Sequence, residues 1–312
     1  MNSIKKMMLS GALGCLISGM AYADGSSPQP VKPYWQDIQV VAVNKEKPRS
    51  SFMSYADRET ALTSRFEKSP YYSLLNGTWK FFFVDSYKDL PQNITDPSVN
   101  TSSWDDITVP GNWEVQGHGV AIYTNHGYEF KPKNPQPPLL PEANPVGVYR
   151  RDIEIPANWD NRDIYLHIGG AKSGLYVYLN GKEVGYSEDS KNPAEFLINK
   201  YLQPGKNVLT LKIFRWSTGS YLECQDFWRM SGIERDVFLW SQPKASIQDF
   251  RVVSTLDDTY TNGIFKLAVD LKNHTQETKN LNVGYELLRP KAHIRHLSFL
   301  FLGYDSLSLP PV

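Results

Sequence analysis

From residue 69 onward the chain is written in short apolar runs and two-residue alternations, not in the three-to-four spacing of amphipathic helices. The run WKFFFV at 79–84 is bounded by Asn76-Gly77 and Asp85-Ser86. VYRRDIEI (148–155) and DIYLHI (163–168) follow, separated by a turn at 156–161. Leu175, Val177 and Leu179 alternate with Tyr176 and Tyr178 and run into Asn180-Gly181. That dipeptide suits the two positive φ angles of a type I′ hairpin turn, so 184–186 reads as the returning strand. Leu209, Leu211 and Ile213 repeat the alternation after a turn at 203–207, and strands at 236–240 and 250–254 complete the pattern. Residues 24–68 are polar and irregular, an N-terminal arm with one short helix expected over 56–66. The pattern predicts an all-β chain whose main body, 69–242, is an antiparallel jelly-roll sandwich.

Pro243 marks a boundary. Beyond it, 245–255, 263–272 and 282–288 supply about three strands of an immunoglobulin-like sandwich whose full form needs about seven, so 243–288 reads as a partial domain. Residues 289–312 lose both the alternation and the turn chemistry, and an aberrant or truncated tail is expected there.

Composition narrows the function. The 312 residues carry 33 Lys+Arg and 33 Asp+Glu, and no basic footprint for nucleic acid or an anionic membrane is present. Aromatic residues are abundant at 13 %, which suits a β-rich fold that stacks on sugars. Residues 1–23 have the form of a secretory signal peptide: basic Lys5 and Lys6, an apolar stretch, and Ala21-Tyr22-Ala23 before a polar linker. The segment is too short for a membrane span, and export to the periplasm or beyond is expected. Lipoprotein anchoring at Cys15 fits less well, because Ala12 stands where an aliphatic residue is wanted. Cleavage leaves Cys224 as the one cysteine, so the fold rests on its core and not on disulfides. The six histidines are scattered, and His293 and His296 have no ligand-spaced carboxylate or thiolate beside them.

Three segments are denser in polar and aromatic residues than strand building needs. They are PGNWEVQGHGVAIYTNHGYEF (110–130), GYSEDSKNPAEF (185–196) and RWSTGSYLECQDFWRMSGIER (215–235). Trp113, Tyr123 and Asn125 are expected to be exposed on the first, and Glu188 and Asp189 stand just after a strand end on the second. Planar hydrogen-bonding groups with aromatic faces are what a neutral sugar needs. The segments YTNHGYEF, NPVGVYRRDIEIP, GYSEDSKNPAEF and RWSTGSYLECQDFWRMSGIERDV resemble the N-terminal part of β-galactosidases of glycoside hydrolase family 2, over about 69–288. The resemblance implies a jelly-roll sugar-binding domain followed by an immunoglobulin-like domain. In the family these precede a catalytic TIM barrel, in enzymes that use magnesium and sodium and form homo-oligomers. It also implies that Asn125 and Asp189 bond galactosyl hydroxyls, with Asp189 helping to hold sodium and Tyr123 lining the same pocket. Trp228, Arg229 and Gly232 match a packing and scaffold motif, and Cys224 is expected to pack.

No catalytic residue is assigned in this chain. Retaining glycosidases need two carboxylates about 5–5.5 Å apart. The family's acid/base lies in an Asn-Glu pair, and no Asn-Glu dipeptide occurs here. Glu188 and Asp189 are neighbours on an extended segment and point to opposite faces. Only 67 residues follow Ala245, against the roughly 250 of a TIM barrel. The expectation is therefore the sugar-binding portion of an exported β-galactosidase, inactive alone and with no cofactor of its own. The alternative is a free-standing carbohydrate-binding module.

Overall fold

The computed structural model describes residues 32–130, 134–223, 225–290 and 297–311. The expectations for the leader at 1–23, for Cys224 and for His293 and His296 lie outside the described residues. In chain order the first elements are β1 (Ala42–Val43), α1 (Arg58–Ala61), β2 (Tyr72–Leu74), β3 (Gly77–Val84), β4 (Asp105–Val109), β5 (Gly111–Asn112) and β6 (Ile122–Thr124). Then come β7 (Val146–Glu154), β8 (Arg162–Ile168), β9 (Ala171–Lys172), β10 (Gly174–Leu179), β11 (Lys182–Ser187), β12 (Ala194–Leu197) and β13 (Lys206–Phe214). The last are β14 (Phe227–Arg229), β15 (Gly232–Ile233), β16 (Val237–Pro243), β17 (Ala245–Leu256), β18 (Gly263–Asn273), β19 (Lys279–Pro290) and β20 (Leu297–Leu309).

Two antiparallel sheets make the sandwich. One has seven strands in the order β1-β11-β10-β13-β7-β3-β4, the other four in the order β12-β8-β16-β2. The alternation predicts which side chains meet between them. Leu175, Val177 and Leu179 of β10 and Leu209, Leu211 and Ile213 of β13 join Leu166, Ile168, Phe196, Val237 and Leu239 from the facing sheet in one buried cluster. Asn180 and Gly181 take φ of 53° and 77°, as the hairpin turn requires.

The tyrosines that alternate out of β10 are not left in water. Tyr176 and Tyr186 join Val146, Val148 and Phe214 in a second cluster on the outer face of the large sheet, and the arm covers it. Trp35 stacks on Phe214 with ring centroids 4.9 Å apart. Farther along, Met53, Tyr55 and Phe66 cover Tyr165, Phe238 and Trp240 on the outer face of the small sheet. The polar arm thus covers both outer faces. Within it the expected helix shrinks to the single turn α1, capped by Asp57, whose side chain accepts from Thr60 N.

One expectation is corrected here. Trp113, expected to be exposed, is 0 % exposed. It leaves β5 into a tight turn that aims the ring inward, onto Phe83 at 5.6 Å and across Gly147, where even a Cβ would meet the ring at 2.6 Å. A loop-like sequence around an indole did not disclose that direction.

After Pro243 the chain makes two long hairpins, β17 with β18 and β19 with β20, each a two-stranded sheet. Residues 297–309, in which no strand pattern is visible, pair with β19 from Lys279↔Leu309 to Pro290↔Leu297. Phe265, Leu267 and Val269 do alternate, yet they are only half-buried. The seam with the sandwich is polar: Asp163 takes an ion pair from Lys272 at 3.3 Å and faces His274 Nδ1 at 2.7 Å, and Lys272 also bonds the Tyr165 hydroxyl. No helix among the described residues is long and apolar enough to cross a membrane.

Candidate functional site

Tyr123 and Asn125 leave the sandwich on a small two-stranded antiparallel sheet, β6 with β14, in which Tyr123 pairs with Trp228. Tyr123 is 56 % exposed and Trp228 49 %, their rings edge to face at 5.6 Å. The Tyr123 hydroxyl donates to Asp226 Oδ1 at 2.7 Å, which fixes the phenol and raises its pKa. Trp228 therefore corrects the scaffold reading. Its motif neighbours Arg229 and Gly232 are buried, but Phe227 and Trp228 at the start of β14 are both exposed. Asn125 begins the bend after β6 and is exposed. The loop behind it is anchored by Glu129, which accepts from Trp216 Nε1 at 3.0 Å, and by Phe130 packed on Trp216 and Tyr221.

Asp189 follows β11 and is exposed, while its neighbour Glu188 is buried. Glu188 accepts from the Tyr186 hydroxyl at 2.7 Å, from Thr218 Oγ1 and from Gly219 N at 2.7 Å. It holds the turn Thr218–Tyr221 in place, and burial raises its pKa against those bonds. The Asp189 carboxylate accepts from Asn192 Nδ2 at 3.0 Å and lies 3.9 Å from Lys45 Nζ. Burial lowers the pKa of Lys45, and Asp189 partly offsets that.

Buried groups join the two loops. Ser190 donates to Glu223 through its backbone N–H at 3.0 Å and its hydroxyl at 2.7 Å. Arg229 donates to the Glu223 carbonyl at 3.3 Å and to the Thr124 carbonyl at 3.4 Å, one residue before Asn125. Each link is long or indirect, but together they tie the segment that carries Asp189 to the one that carries Asn125. Burial pushes the Glu223 carboxyl up, and Lys172, 6 % exposed, is pushed down by burial against the pull of Glu129 and Glu223. Of these groups, only Arg229 was singled out from sequence. Glu223 lies within the segment 215–235 but nothing there marks it above its neighbours, and Lys172 lies outside the three segments; what selects both is their meeting in space. Among the described residues no three acid, histidine or thiol groups converge on a metal position. With Lys45 and Asn192 already on its carboxylate, Asp189 does not by itself form a sodium or magnesium site.

The family model described as "Glycosyl hydrolases family 2, sugar binding domain" matches residues 72–243. The chain is 40 % identical over 253 residues to a β-galactosidase of Priestia megaterium, covering 80 % of this chain and 24 % of that one. It is 37 % identical over 243 residues to a β-galactosidase of Psychromonas ingrahamii, covering 78 % and 23 %. A solved β-glucuronidase of Bacteroides uniformis superposes with a TM-score of 0.61 at 20 % identity, covering 77 % of this chain and 26 % of that one, a likeness of fold. The chain spans about a quarter of the length of the curated relatives it matches.

Proposed function

The chain belongs to glycosyl hydrolases family 2, and we propose that it is the galactoside-contacting N-terminal portion of an exported β-galactosidase, binding β-galactosides without cleaving them. The single observation that carries the reading is the tie between two exposed polar groups. Asn125 and Asp189 stand on separate loops that buried Arg229 and Glu223 hold to one another. A sugar hydroxyl exchanges bonds with water at little gain unless its partners are already in place, so a preset pair is what binding needs. Tyr123, fixed by Asp226 and packed on Trp228, adds an aromatic edge on the Asn125 side.

The acids of the site serve structure. Glu188 holds the turn at 218–221, Glu223 holds Ser190, Glu129 holds Trp216, and Asp226 holds Tyr123. Hydrolysis with retention would need an acid/base and a nucleophile both free to reach one glycosidic bond. Any sodium ion at Asp189 would take one carboxylate from this chain and the rest of its oxygen ligands from elsewhere. Export rests on residues 1–23.

The test is calorimetry of the purified chain with methyl β-galactoside. A millimolar or weaker Kd is expected, abolished by Asn125→Ala and by Asp189→Asn. Binding unchanged in both variants would remove the site. Turnover of o-nitrophenyl-β-galactoside by protein free of host enzyme would remove the non-catalytic reading. Export is checked by sequencing secreted material, which should begin at Asp24.

A further inference from the structure

Where β8 begins and β16 ends, a cavity of about 510 Å3 opens at the seam with the first hairpin, within the size range of small-ligand pockets. It lies at the far end of β8 from the loop of Asp189. Arg162 begins the strand at the cavity, and Ile168 ends it beside Ala194, which follows that loop. A strand of seven residues, at about 3.3 Å each, keeps the two places about 20 Å apart.

The charged lining of this cavity has one sign. Arg162 from β8, Lys244 from the link between β16 and β17, and His274 from just past β18 line it with Asn161, Thr275 and Gln276. No carboxylate lines it among the described residues. Glu154 and Asp160 belong to the adjoining cavity, which shares Asn161, Arg162 and Lys244.

Each basic group keeps something for a ligand. Arg162 Nε donates to Ser241 Oγ at 2.9 Å and Nη2 to the Ser241 carbonyl at 3.0 Å, and the guanidinium lies 3.5 Å from the Tyr71 ring centroid. Nη1 has no hydrogen-bond partner among the described residues, so a donor is held in place with nothing to donate to. His274 donates its backbone N–H to the Lys244 carbonyl at 2.8 Å, which keeps the two residues side by side. Its Nδ1 faces Asp163 Oδ2 at 2.7 Å, and Nε2 is the ring atom left without a partner among the described residues. The Lys244 ammonium makes no ion pair or hydrogen bond among the described residues, although the residue is only partly exposed. Basic groups from three separate elements, with no acid between them, match a small body that carries full negative charge and several acceptor oxygens.

We propose that this cavity binds a tetrahedral oxyanion, phosphate or sulfate, free or carried as a monoester, and that the bound group bridges Arg162 of the sandwich to His274 of the first hairpin. The site is separate from the galactoside reading and does not depend on it. The seam itself is made by Asp163 with Lys272 and His274, and an anion at His274 Nε2 adds a second bridge beside it.

The experiment is calorimetry and NMR of the full chain with sodium sulfate at about pH 6, near the ordinary range of imidazole, matched in ionic strength against sodium chloride. Sulfate should bind with a millimolar Kd and move the His274 imidazole resonances, while chloride leaves them in place. Lys244→Gln, which removes a group with no bond to the fold, should weaken sulfate about tenfold, a ratio equal to about 1.4 kcal/mol. Asn125→Ala should leave sulfate binding unchanged. Inorganic phosphate and glycerol 3-phosphate distinguish the sources: tighter binding of the ester assigns a carried group, and equal or weaker binding assigns a free ion. Opening of the hairpin parts His274 from Arg162, so sulfate at ten times its Kd should also slow proteolysis at 257–262 by up to about elevenfold. An unmoved His274, an equal response to chloride, or unaltered affinity in Lys244→Gln would overturn the site. Sulfate binding that leaves the cutting rate unchanged would overturn the bridge.

Discussion

The sandwich over residues 33–243 and the hairpins over 245–309 use the same alternation with opposite results. In β10, Leu175, Val177 and Leu179 point at a second sheet and are buried. In β18, Phe265, Leu267 and Val269 alternate as regularly and remain half-buried, and no residue of β17 or β18 enters any of the three apolar clusters. Alternation makes a strand, but only an opposing layer makes a core. The hairpins also have polar anchors where the sandwich has apolar ones, with Lys272, Asn273 and His274 as the best-buried part of their approach to Asp163.

The largest expected contrast comes from emptying each region. Trp79 is fully buried at the centre of the sandwich, and Trp79→Ala should cost about 4 kcal/mol in chemical denaturation. Phe265→Ala in the hairpins should cost less than about 1 kcal/mol, because half-exposed side chains leave little cavity behind. Similar losses at both positions would make the two regions one cooperative unit.

Next is the arm, which sharpens the comparison because it gives the sandwich outer layers that the hairpins lack. Arg49 bonds Glu195 and lies 4.6 Å from the Phe52 ring and 4.3 Å from the Trp240 ring. Arg49→Ala takes the bidentate partner from a buried carboxylate, leaving it only His167 and Trp240 among the described residues, and should cost about 3 kcal/mol. The same pair predicts acid sensitivity. A carboxylate held at about 2, against an ordinary 4.5, contributes stability that is complete above pH 4.5. That contribution disappears as pH falls from 4.5 towards 2, and denaturation midpoints across this window should fall in the unaltered chain and flatten in Glu195→Gln.

Smaller again is local opening. In limited proteolysis the turn at 257–262, between β17 and β18, should be cut before any turn within the sandwich, because its strands carry little buried apolar surface. Removing the seam should widen the gap. Asp163→Asn removes the charge that partners buried Lys272 and His274, and is expected to speed cutting at 257–262 several-fold. Cutting first within the sandwich would reverse the comparison.

The strands, the Asn180-Gly181 turn and the inward faces of β10 and β13 were legible because each depends on neighbours two residues apart, information the chain carries locally. The resemblance likewise singled out Tyr123, Asn125 and Asp189 through contiguous motifs. What joins them was not legible. Glu223 meets Ser190 across 33 positions, and Arg229 meets Thr124 across 105. The inward turn of Trp113, the outward turn of Trp228 and the arm's cover over both sheets depend on similarly distant packing.

The same division runs through the two carboxylates side by side in GYSEDS. Their opposite directions follow from an extended backbone, so residue order alone separates Glu188 from Asp189. Which of them is buried is another matter. Glu188 is enclosed because the turn at 218–221 folds over it, whereas Asp189 stays exposed with Lys45 and Asn192 on its carboxylate. A carboxylate's solvation depends on atoms brought near it by the whole fold, and that is where tertiary structure, not sequence, encloses one acid as scaffolding and leaves the other exposed.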